Sequence, residues 1–147
     1  MNISTHFTLD EVQNSQRAKE LDIDNIMPSV YYGNAINLAR FVLEPIRLHF
    51  GKPFRPSSWY RCPLLNRAVG GSATSDHMLG AAADIKIKDV SLMALAEYIR
   101  DNLDFDQVIL EATWVHVSYR KDANRKEVET CVGPGKYIPG LHEVDRS

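Results

Sequence analysis

The sequence predicts an α+β fold: a small, mainly antiparallel sheet with helices on one face. Three observations predict it. Residues 82–88 and 114–120 alternate apolar and polar side chains with period two, as half-buried strands do. Ile36, Leu38, Phe41, Val42, Leu43, Ile46 and Phe50 recur near helical spacing, and Met93, Leu95, Ala96 and Ile99 do so again. Residues 107–111 and 114–119 lie close enough to form a hairpin.

The elements follow in chain order. Thr8-Leu9-Asp10-Glu11 fits a capping box, with Thr8 as N-cap and Glu11 reaching back, so a helix is expected to about Glu20. Residues 22–28 read as a loop. Ser29 can cap a longer helix to about Phe50; Pro45 inside it removes a hydrogen bond and should kink it. Gly51 and Pro53 supply the stop. Residues 54–61, rich in aromatic residues and serine, read as a strand. Pro63 fits the first turn of a short helix ending before Gly70-Gly71. Asp89 or Ser91 can cap a helix over 92–102. Residues 126–132 read as an edge strand, and Gly133-Pro134-Gly135 and Pro139-Gly140 mark an irregular tail.

A chain of 147 residues suits one domain with its own core, so one domain is expected over 1–147, with 121–147 as a polar edge or tail. Apolar residues make up 44% and charged residues 24%, ordinary for a soluble globular protein. The net charge of -2 gives no basic field, so nucleic acid is not an expected partner. No apolar run is long enough for membrane insertion. The first residues lack a basic segment followed by an apolar one, so synthesis in the cytoplasm without a signal peptide is expected. Cys62 and Cys131 read as free thiols. The chain is expected to act as a monomer.

The chemistry concentrates in Ser75-Asp76-His77-Met78-Leu79-Gly80-Ala81-Ala82-Ala83-Asp84 and in Trp114-Val115-His116-Val117. A catalytic zinc takes three protein ligands and leaves a fourth position open. His77, Asp84 and His116 supply two imidazoles and one carboxylate for one zinc ion. Strand alternation puts Asp84 on the face of 82–88 opposite Ala83, Ile85 and Ile87. It puts His116 on the face of 114–120 opposite Val115, Val117 and Tyr119. If both strands share a sheet, one face is core and the other is the site. Isolated histidines such as His6, His49 and His142 are expected to take no part.

Ser75-x-His77-x-x-Gly80-x-Ala82-x-Asp84, followed by Trp114-Val115-His116-Val117, resembles the zinc D-alanyl-D-alanine peptidases. That group includes bacteriophage endolysin peptidases and is related to vancomycin-resistance D,D-dipeptidases and hedgehog signalling domains. Ser58-Trp59-Tyr60-Arg61-Cys62-Pro63-Leu64-Leu65-Asn66 resembles a second family segment, and His6-Phe7-Thr8-Leu9-Asp10-Glu11 resembles the opening of short phage and prophage members. The resemblance implies a hedgehog/D,D-peptidase-like fold and hydrolysis of a peptide bond in peptidoglycan stem peptides. Both the D,D-carboxypeptidase type and the L-alanyl-D-glutamate endopeptidase type are open. A lysis or wall-remodelling setting, with delivery to the wall by holin-type release or in a virion, is also implied.

The family places its general base as a Glu three residues before the last ligand or a His two before it. Here Thr113 and Trp114 stand there, and neither is a useful base. This departure favours an alternative: a zinc-containing, non-catalytic binding or structural module, such as a virion component. The hairpin offers a substitute base. With Ala112-Thr113 as a two-residue turn, Glu111 pairs with Trp114 and Ile109 with His116, which brings Glu111 beside the site. Glu127 and Glu129 rank below it. By resemblance Arg61 grips a substrate carboxylate or the oxyanion. Ser75, Tyr60 and Trp114 are expected to line the substrate cleft, with Ser75 or Asp76 bonded to a ligand imidazole.

Overall fold

The computed structural model describes residues 1–146. Its five strands are β1 (Ala82–Ile85), β2 (Gln107–Leu110), β3 (Val115–Ser118), β4 (Glu127–Gly133) and β5 (Lys136–Pro139). They form one sheet in the order β1-β3-β2-β4-β5, antiparallel except for the parallel β2–β4 pair. The α+β expectation holds. Ala83, Ile85, Val108, Leu110, Val115 and Val117 face the core. Asp84, Ile109 and His116 alternate with them on the opposite face, as the period-two pattern requires.

Helices cover the core face. The capping box forms as expected: Thr8 Oγ1 accepts from the Glu11 N–H, and the Glu11 carboxylate accepts from the Thr8 N–H. The expected helix to Glu20 is nevertheless two helices, α1 (Leu9–Gln13) and α2 (Gln16–Glu20). Asn14 turns extended between them, and the Ser15 hydroxyl caps the second.

The longer helical run starts differently from expectation. Pro28 precedes its first turn with no side-chain cap, and Ser29 opens a 3-10 turn, Ser29–Tyr31. Then come α3 (Tyr32–Leu38), one π turn (Ala39–Leu43) and α4 (Glu44–Phe50). Pro45 accounts for the widened turn: it cannot donate to the carbonyl of Phe41, and its ring crowds that carbonyl. Gly51 ends the run in the left-handed region at φ 66. Leu38, Ala39, Val42, Leu43 and Ile46 from this run enter the same core as α6 (Leu92–Asn102), which Ser91 caps. The short helix expected at Pro63 is α5 (Pro63–Ala68). No helix among the described residues is long and apolar enough to cross a membrane.

Two strand expectations need correction. Residues 54–61 are extended but join β1 only through an isolated bridge, Ser58 to Asp84. Pro53 and Pro56 lack donors, and the segment spreads its bonds over several elements. Tyr60 N donates to the Val12 carbonyl and Arg61 N to the His77 carbonyl. Residues 126–132 do not form the edge. β4 lies inside the sheet, and the supposed irregular tail supplies the edge strand β5. Gly135, at φ 67, allows the tight turn between them.

Asp106 locks β2 to its neighbours. It is fully buried and accepts from Arg125 N, Nε and Nη2 at 3.1, 3.0 and 2.8 Å. Its Oδ2 also lies 3.3 Å from Arg120 Nε. Burial alone would raise this carboxyl, but the Arg125 bonds and both guanidinium charges hold it below the ordinary range. Asp106→Ala is expected to cost about 2–3 kcal/mol in urea unfolding at neutral pH. That is below the roughly 3–5 kcal/mol for a fully buried pair, because both arginines remain half-exposed and can rehydrate. The folded carboxyl is the stronger acid, so its contribution is present at neutral pH and is lost as pH falls below the ordinary carboxylate range. The difference between wild type and variant should therefore shrink on acidification.

Candidate metal centre

His77 sits in a 3-10 turn, Asp76–Leu79, between the β1 segment and the loop after α5. Its imidazole is almost wholly buried. Nδ1 lies 2.6 Å from the Trp59 carbonyl oxygen. A carbonyl only accepts, so Nδ1 carries the proton and Nε2 presents its lone pair. That lone pair faces Asp84, with Nε2 to Oδ1 at 3.3 Å. Gly80 closes the turn at φ 69, and a Cβ there would sit 2.8 Å from Met27 Sδ. The turn is fixed twice more, by Trp59 Nε1 donating to the Gly80 carbonyl and Arg61 N donating to that of His77. The Trp59 carbonyl was not legible in the sequence, because which backbone group meets an imidazole depends on the path of 54–61.

Asp84 and His116 are direct cross-strand partners on β1 and β3. His116 Nδ1 lies 3.1 Å from Asp84 Oδ1. One donor atom from each of His77, Asp84 and His116 lies within 4.8 Å of the others. The protonation states suit a cation. Burial pushes the His77 imidazole down, towards its neutral form. Burial opposes ionisation of Asp84, but the neighbouring His77 and His116 rings outweigh it and hold the carboxyl well below the usual carboxylate range. Two imidazoles and an ionised carboxylate, with an outer carbonyl orienting one ring, fit a three-ligand metal site.

Glu111 ends β2. Its N–H donates to the Trp114 carbonyl at 3.0 Å, so the two-residue turn and the Ile109–His116 register are as expected. The Glu111 carboxyl borders the same cavity of about 480 Å3 as the three donors. Burial pushes it up, partly offset by the Cys131 thiol and by His116. Glu127 and Glu129 are instead bonded to Gln107 Nε2, at 2.6 and 3.1 Å.

Arg61 is largely buried. Its Nη1 donates to Asn66 Oδ1 at 3.3 Å, Nη2 lies 3.9 Å from Asp84 Oδ2, and Nε has no partner. Gly71 makes room for this arrangement. A Cβ there would lie 2.1 Å from Asn66 Oδ1 and 2.8 Å from Arg61 Nη1. The Gly70-Gly71 pair was the visible signal for it.

Other expectations divide. Trp114 and Ser75 border the cavity. Tyr60 does not: it is buried in the core beside Tyr31, because the extended segment turns both Trp59 and Tyr60 inwards. Neither Ser75 nor Asp76 bonds a ligand imidazole. Ser75 Oγ accepts from the His77 N–H, and Asp76 pairs with Arg120 at 3.1 Å. Gln107 and Arg120 also border the cavity, on the face where strand alternation puts them; Arg125 borders it too and was missed, since it lies beyond any strand pattern or metal spacing. His6 pairs with Glu44, His49 stacks on Tyr98, and His142 bonds the Pro139 carbonyl. Cys62 and Cys131 are unpaired.

The model of one protein family, described as Peptidase M15, matches residues 5–118, a span that holds the three donors, Arg61 and Glu111. No curated protein matches the chain.

Proposed function

We propose that this chain, which belongs to the Peptidase M15 family, is a zinc metallopeptidase that hydrolyses a peptide bond in peptidoglycan stem peptides. Bonds to D-alanine and the L-alanyl-D-glutamate link are the substrates in view, in phage- or prophage-related lysis or wall remodelling. The observation that carries the proposal is a half-buried carboxylate, Glu111, in the same cavity as a His-Asp-His donor set.

His77 Nε2, Asp84 Oδ1 and His116 Nδ1 would hold the ion. Zinc there would polarise the scissile carbonyl and acidify a water molecule. Glu111 takes the proton of the attacking water on its carboxylate and passes it to the leaving amine. Burial has raised its proton affinity, which suits both halves of that transfer. The Arg61 guanidinium, fixed by Asn66, has an unpartnered Nε for a carbonyl or carboxylate oxygen. Glu111 weighs against the non-catalytic alternative, because strand pairing brings a carboxyl to the cavity where Thr113 and Trp114 offer no base.

Mass spectrometry of peptidoglycan fragments incubated with the zinc-loaded protein tests the proposal. Chelator-sensitive release of a defined peptide product is expected. Intact fragments, with zinc bound stoichiometrically, would favour the non-catalytic module. The pH profile is a further expected outcome. Glu111 acts deprotonated and its carboxyl is raised, so kcat/KM should climb with pH through a limb above the ordinary carboxylate range. Zinc content measured at each pH separates that limb from acid loss of the metal.

A further inference from the structure

Tyr137 stands on β5, outside the residues 5–118 that the family model matches, and yet it borders the cavity of the three donors. The sheet brings it there. Asp84 pairs with His116, His116 with Ile109, Ile109 with Glu129 and Glu129 with Pro139, which makes one row of side chains across all five strands on the site face. Two residues along, the next row on the same face reads Trp114, Glu111, Cys131 and Tyr137. Glu111 and Tyr137 are two strands apart, about 10 Å at the usual spacing of neighbouring strands.

The phenol is open to the cavity and weakly held. Tyr137 is 46% exposed. Its hydroxyl meets the Cys131 thiol, and that thiol aims its own hydrogen at the Gly133 carbonyl, 3.2 Å away. Sulfur is a weak acceptor, so an oxygen brought in by a substrate replaces it at little cost. Burial and then the Glu111 charge push the phenol up, so it keeps its proton and stays a donor. The leaving amine must come within reach of Glu111 to take a proton from it. The residue that carries this amine then lies on the Glu111 side of the donors, and its own oxygen falls towards β5.

We propose that Tyr137 is a further catalytic residue, whose phenol donates a hydrogen bond to the carbonyl or carboxylate oxygen of the residue that carries the leaving amine and so holds that amine against Glu111. This rests on the peptidase reading above. No covalent bond forms or breaks at Tyr137. The phenol keeps its proton throughout, and the amine takes its proton from Glu111.

The test compares the wild type with Tyr137→Phe, both as zinc-loaded full chains, on N-acetylated L-alanyl-D-glutamyl-lysyl-D-alanyl-D-alanine. The substitution keeps the ring and removes only the hydroxyl of an edge-strand residue, so melting temperature and zinc content should not move. kcat/KM should fall by about five- to tenfold, the worth of one neutral hydrogen bond. The two fragments of the wild-type digest are then purified and added back as inhibitors. Inhibition by the fragment with the new amine should weaken by the same factor, and inhibition by the fragment with the new carboxylate should stay as it was. Wild-type kcat/KM in the variant, or any other pattern of inhibition, would overturn the proposal and leave the peptidase reading standing. No cleavage by the wild type would overturn both.

Discussion

Glu111→Gln is expected to lower kcat by about 10²–10⁴ while the chain still binds one zinc, the range that a positioned acid–base group supplies. The substitution keeps the size and the hydrogen-bonding ability of the side chain and removes only the proton-accepting carboxylate. Glu111 is outside the three-donor set, so zinc affinity measured by calorimetry should change little. Its N–H bond to the Trp114 carbonyl is backbone and survives the change, so the melting temperature should stay near that of the wild type. A drop in kcat with KM and zinc affinity retained marks a group acting in the transition state. The acid limb of the pH profile should vanish from the residual activity. Wild-type rates in Glu111→Gln would move the base elsewhere, and the Glu127–Glu129 pair beside Gln107 would be the next to test.

His77→Ala is expected to abolish stoichiometric zinc binding and, with it, cleavage. Losing a directly coordinating group should cost more than the about 10–100-fold in affinity that loss of an outer partner costs. His77 is the most buried of the three donors and the only one with its second nitrogen fixed, by the Trp59 carbonyl. The substitution also leaves a cavity and an unpaired carbonyl, so some loss of stability is expected. His77→Gln separates the two effects. Its amide can still donate to the Trp59 carbonyl, so it should recover stability without recovering zinc. A variant that lost its fold but kept tight zinc binding would place the metal elsewhere.

The donor set was legible because its signals are local or periodic. His77 and Asp84 lie within one ten-residue segment, and strand alternation alone put Asp84 and His116 on one face. Glu111 was legible for a related reason: a two-residue turn fixes the register of both strands, and the side-chain period does the rest. What failed depended on long-range pairing. β4 seemed an edge because nothing local shows that Lys136–Pro139 will fold back outside it, or that β2 will take it in parallel. Tyr60 seemed a cleft residue because 54–61 read as a strand in the sheet, whereas it is an extended clamp that turns Tyr60 inwards and gives the Trp59 carbonyl to His77. The break at Asn14 was visible in Ser15, a second capping residue inside what read as one helix.

The most direct test of the account is a zinc titration of metal-stripped protein, with peptide cleavage and bound metal followed in the same samples. The account predicts no cleavage at the start, a linear rise and a sharp break at one zinc per chain. His77→Ala should stay flat throughout. Cleavage by the stripped protein, or zinc binding at one equivalent with no cleavage of any stem peptide, would contradict it.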